Sequence, residues 1–122
     1  MRLRMVLFVT VLAFALSPQG ALAFEGKYSN SKSGYNHDAT ITRAPDGSYK
    51  VNVSVATRGC LGDFDGIGMI EGKDLVVRST DKSDTCRLTI SQGLNGLSIK
   101  EDRCLMWHGV SCEFTSTLQK KR

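Results

Sequence analysis

Histidine is scarce and helical periodicity is missing. The only imidazoles in 122 residues are His37 and His108, and no Ser-His-Asp order is legible. A Cys-His nucleophile pair would need a free thiolate, which bridged cysteines do not supply. An enzyme is therefore not expected, nor a cofactor. Positive charge is also missing as a face. Arg2, Arg4, Lys120, Lys121 and Arg122 sit at the two ends, so the formal +4 of the whole chain falls to about −1 for the body between them. Without a basic stripe there is no electrostatic footprint for nucleic acid. Long apolar runs are limited to residues 5–16, shorter than the roughly 18 to 20 residues of a spanning helix. No membrane insertion is expected.

What is present begins with an export signal. Arg2 and Arg4 precede that apolar run, and Ser17-Pro18-Gln19-Gly20 leads into the small-residue site Ala21-Leu22-Ala23. Residues 1–23 read as a secretory signal peptide cleaved after Ala23, with Phe24 opening the exported chain. No cysteine lies near that point to carry a lipid. The even set Cys60, Cys86, Cys104 and Cys112 then reads as two disulfides in an oxidising compartment. Three pairings exist. Cys104 and Cys112 enclose only seven residues, including Gly109, so the small ring Cys104–Cys112 is expected, with Cys60–Cys86 as its companion. Cys104, His108 and Cys112 match no common zinc spacing, and no metal is expected.

Alternation recurs through the rest. Tyr49, Val51, Val53 and Val55 face one way and Lys50, Asn52, Ser54 and Ala56 the other, the period-two signature of a strand with one wet face. Ala39, Ile41 and Arg43 alternate upstream, and Ala44-Pro45-Asp46-Gly47-Ser48 joins the two runs as a hairpin turn. Further runs follow at 64–70, 74–78, 85–91, 97–100 and 113–118, with an opening strand near 24–28 and at most one helical turn within 105–108. The fold class is all-β: a small eight-stranded antiparallel barrel stapled by two disulfides, filling residues 24–119 and followed by a basic tail, 120–122. The inward set is Val51, Val53, Val55, Leu75, Val77, Leu88, Ile90, Leu97, Ile99 and Phe114. An eight-stranded barrel so filled has little room for a ligand, which sends function to loops or the outer face.

Asp63-Phe64-Asp65-Gly66 has the alternating carboxylates of a calcium loop but not its twelve-residue completion, and reads as a solvated acidic strand end. Gly62, Gly66 and Gly68 read as barrel bends. Trp107, inside the small ring, either caps the barrel or stands out as a contact. Residues 29–38, 57–59 and 79–84 are polar and loop-like. The last two each end at a cysteine, so a Cys60–Cys86 bridge would draw Arg58 and Gly59 towards Lys82 and Ser83 as a binding edge. Trp107 and His108 form the alternative edge.

Arg58-Gly59-Cys60-Leu61-Gly62, Cys86-Arg87-Leu88-Thr89-Ile90 and the ending Cys104-Leu105-Met106-Trp107-His108-Gly109-Val110-Ser111-Cys112-Glu113-Phe114 together resemble the periplasmic lysozyme inhibitors of the PliC type found in Gram-negative bacteria. The resemblance implies an eight-stranded antiparallel barrel with a loop that enters the active-site cleft of a c-type lysozyme, protecting peptidoglycan against host defence. The chain departs from the related membrane-bound inhibitors. Ser33-Gly34-Tyr35 lacks the spacing of their Ser-Gly-x-x-Tyr loop and lies too early, so no residue is carried over from that motif. The expected product is a soluble periplasmic protein with a c-type lysozyme as partner. Its alternative is an exported structural or adhesion-type module that binds the envelope without inhibiting any enzyme. An exposed edge strand would allow two copies to pair as a homodimer.

Overall fold

The computed structural model describes residues 24–121; the expected signal peptide and Arg122 lie outside the described residues. Eight strands follow in chain order: β1 (Gly26–Lys32), β2 (Tyr35–Arg43), β3 (Tyr49–Thr57), β4 (Cys60–Glu71), β5 (Asp74–Arg78), β6 (Arg87–Gln92), β7 (Gly96–Asp102) and β8 (Ser116–Lys120). Each pairs antiparallel with the next, and β1 pairs with β8, so the sheet closes into a barrel in plain sequence order. A single 3-10 turn, Leu105–Trp107, lies between β7 and β8.

The β2–β3 hairpin runs in unbroken register from Tyr35↔Thr57 to Arg43↔Tyr49. Its turn is built as the sequence suggests. Gly47 takes a φ of +87°, open to glycine without steric cost. The Asp46 carboxylate accepts from the Ser48 hydroxyl at 2.6 Å and the Ser48 N–H at 3.0 Å. Those two bonds, the hydroxyl first, hold the Asp46 carboxyl below its ordinary pKa. Inside, all ten residues of the expected inward set are buried, joined by Phe24, Tyr28, Ile41, Tyr49, Phe64 and Leu118.

Three sequence readings change. Residues 29–38 form strand, not loop: β1 and β2 meet at a turn whose Gly34 has φ +76°. The alternation was hidden because the inward positions include Tyr35 and the buried His37, whose Nε2 lies 2.9 Å from the Glu113 carbonyl it donates to. Lys120 and Lys121 of the expected basic tail belong to the barrel. Lys120 ends β8 opposite Tyr28, the Lys121 N–H donates to the Lys27 carbonyl at 2.8 Å, and its ammonium meets Asp38 at 3.4 Å. The backbone of these lysines completes the barrel while their charges stay in water. Closure also leaves no free edge strand among the described residues, so an edge-paired homodimer has nothing to pair through.

The topology sorts the connections. Turns 44–48, 72–73 and 93–95 lie at one end of the barrel. Turns 33–34 and 58–59, loop 79–86 and the long segment 103–115 lie at the other. Every residue singled out for binding is at this second end.

Candidate functional site

The disulfides differ from the expected pairs: they are Cys60–Cys112 and Cys86–Cys104. Strand register explains this. Arg87↔Asp102 is the last pair of the β6–β7 ladder, so Cys86 and Cys104 emerge side by side just beyond it, with Cα atoms 4.4 Å apart. The residues after Cys104 do not close a small ring; they cross to the start of β4. There His108 bridges Gly62, and the Gly109 N–H donates to the Leu61 carbonyl at 3.1 Å. Cys112 thereby reaches Cys60, Cα to Cα 5.9 Å. Both staples thus act on segment 103–115, one near each limb. Neither joins the Arg58 loop to the Lys82 loop, so the predicted Arg58–Lys82 edge loses the bridge that was to assemble it.

Two glycines permit this crossing. A Cβ on Gly62 would sit 2.4 Å from the His108 Cβ, and one on Gly109 2.6 Å from the Cys60 Sγ. Gly62 therefore marks a close approach of two segments of the chain. Gly62→Ala is expected to destabilise the protein by about 1 to 3 kcal/mol, the usual cost of overpacking, readable as a lower urea midpoint at unchanged slope.

The crossing segment carries a ridge. Trp107 is half-buried, packing edge-on against Phe64 with ring centroids 4.9 Å apart at 84°. Its indole N–H donates to Asp84 Oδ2 at 2.6 Å, while Asp84 Oδ1 accepts the Cys86 N–H at 2.9 Å. Trp107 caps the core and ties the segment to loop 79–86. Beside it Met106 stands 93 % exposed, with Leu105, Val110 and, from β4, Leu61 also exposed. Met106 and Trp107 divide two grooves. One, of about 430 Å³, runs along Asp81, Ser83, Asp84 and Thr85; the other, about 510 Å³, runs along Ser54, Ala56, Leu61 and Asp63.

The other predicted residues fall around this ridge. Arg58 and Gly59 form the exposed β3–β4 turn, tied to the segment through Cys60–Cys112. Lys82 is exposed on loop 79–86, and neither cation makes an ion pair among the described residues. Ser83 lines the first groove, but its hydroxyl already donates to Asp81 at 2.7 Å. That bond, with the Ser83 N–H, lowers the Asp81 pKa. His108 is not an edge residue: its side chain is turned inward onto Glu101. Asp63 and Asp65 point outward from mid-β4, both accepting from the Asn52 amide at 2.6 and 2.9 Å. With Cys104 and Cys112 in separate bridges and His108 engaged by Glu101, the zinc-like trio does not gather as ligands.

Sequence reasoning missed Asp84, Met106 and Glu101. For Glu101 a signal existed. Leu97 and Ile99 face inward, and the same alternation puts Glu101 inward at the barrel end, where a carboxylate must find donors. No protein-family model, curated protein or solved structure matches the chain.

Proposed function

We propose that this protein inhibits a c-type lysozyme by docking the stapled end of its barrel into the enzyme's active-site cleft, the Leu105–Trp107 ridge entering first. The observation that carries the reading is the ridge itself: large apolar side chains held out in water on a segment fixed by two disulfides, the Trp107–Asp84 bond and the β4 crossing. Holding such groups rigid removes an ordering cost that a partner would otherwise meet, and aromatic anchors beside grooves are typical of binding hot spots. The barrel interior is filled with side chains, which leaves the ends and outer face for recognition. Retaining lysozyme-type clefts place two carboxylates about 5 Å apart, and Arg58 and Lys82 are exposed cations at the ridge's end of the barrel that make no ion pair among the described residues. In this reading they sit at the rim, steering the encounter.

The test is clearance of a peptidoglycan suspension by a c-type lysozyme with and without the oxidised protein. Dose-dependent loss of clearance supports the reading. Full clearance at high protein concentration, together with retention of the protein on isolated envelope, would instead establish the non-inhibitory envelope module. Arg58→Ala and Lys82→Ala are each expected to weaken inhibition only about two- to tenfold, and to flatten its dependence on salt, as rim charges do. Inhibition constants measured at two salt concentrations check this.

A further inference from the structure

We infer that His108, held as an imidazolium between Glu101 and the Gly109 carbonyl, is the positioning residue of the docking ridge. Its link to docking rests on the reading above; its geometry does not. The His108 side chain is 3 % exposed and that of Glu101 12 %. Nε2 lies 2.9 Å from Glu101 Oε2, and Nδ1 2.6 Å from the Gly109 oxygen. Both partners accept, whereas a neutral imidazole offers a single N–H. The two contacts are satisfied together only when both ring nitrogens carry protons.

Glu101 is equally fixed. Its Oε1 accepts the Phe114 N–H at 2.7 Å, and its own N–H donates to Thr115 Oγ1 at 3.1 Å. One β7 residue therefore grips both limbs of segment 103–115, through His108 on the way out and through residues 114 and 115 on the return. The imidazole also stands edge-on to Phe114, centroids 5.0 Å apart. His108 directly follows Trp107, so the ridge hangs between Asp84 on one side and this pair on the other.

Burial by itself depresses the His108 pKa. The bonds to Glu101 and the Gly109 carbonyl, with the negative charges of Glu101 and Glu113, outweigh burial and raise it above the ordinary 6.5. Gly62, which bridges His108 from β4, and Phe114 are uncharged. A raised folded pKa means that the clamp contributes fully below about pH 6.5 and is lost as pH rises through the raised value.

The experiment is an NMR titration of the oxidised protein from about pH 5 to 9, the range where imidazoles titrate, following the His108 ring carbons and the Trp107 indole N–H. His108 should titrate above the ordinary value, with the Trp107 signal moving at the same midpoint. In Glu101→Gln, with burial no longer opposed by the carboxylate, that midpoint should fall below the wild-type one. A wild-type His108 midpoint at or below the ordinary value, or a Trp107 signal that ignores it, overturns the inference without recourse to any variant. Binding to a c-type lysozyme by calorimetry adds the docking arm: affinity should fall about tenfold, a coupling of ordinary size, across the wild-type midpoint relative to Glu101→Gln. Equal pH profiles for the two proteins overturn the role in docking. Co-titration of the two signals in a protein that binds no lysozyme sinks the lysozyme reading and leaves the positioning role supported.

Discussion

Replacing Cys60 and Cys112 together by alanine is expected to cost about 4 kcal/mol of stability, the loop-closure entropy of a bridge spanning 52 residues in the chain-entropy view. The Cys86→Ala/Cys104→Ala protein should lose about 3 kcal/mol, since that bridge spans 18 residues. Denaturant unfolding of both, beside the wild type, gives the two values. The larger loss has a local consequence too. Without Cys60–Cys112 the return limb of segment 103–115 is held near residues 113–115 by hydrogen bonds to Glu101, His37 and Ser116, so its amides should exchange well before those of β3 and β4. Non-reducing peptide mapping guards the premise: a peptide joining Cys60 to Cys86 would contradict the architecture of the stapled end.

Trp107→Ala is expected to weaken the proposed lysozyme inhibition by about 30- to 1,000-fold, the 2 to 4 kcal/mol of a central aromatic hot spot. Because Trp107 also covers Phe64, which is fully buried, part of any loss could come from the fold. Met106→Ala separates the two effects. Met106 is almost wholly exposed, so its truncation should change stability by less than about 0.5 kcal/mol while still weakening inhibition by about tenfold, roughly 1.4 kcal/mol. Inhibition constants and unfolding midpoints measured on the same preparations decide it. Wild-type inhibition by Met106→Ala would remove the ridge from the interface.

The barrel was legible where one face of a strand is apolar and the ends carry turn residues. β5 matches its sequence-derived span because Leu75 and Val77 are bounded by Glu71-Gly72-Lys73 and a polar loop. The β2–β3 hairpin was legible for the same reason, with Pro45 and Gly47 marking the turn. Legibility failed where alternation is polar on both faces, as around Tyr35 and His37, or where lysines form the last strand. The site was harder. The sequence offers Arg58, Gly59, Lys82 and Ser83 as one edge and Trp107 and His108 as its alternative, whereas the structure brings all six to one end of the barrel. The pairing of cysteines depends on strand register and on the path of residues 105–111 across β4, and ring size says nothing of either. His108 shows the same limit: its spacing suggested an edge, while its burial follows from an inward Glu101 one position beyond where strand β7 was expected to end.

The most direct test is the footprint of a c-type lysozyme on the protein. Amide resonances of the oxidised, isotope-labelled protein would be followed as lysozyme is added. Perturbation should concentrate at residues 58–62, 81–85 and 103–112, leaving turns 44–48 and 93–95 at the opposite end unchanged. A footprint on that opposite end, or on the outer face of β5 to β7 with the ridge untouched, would contradict the account.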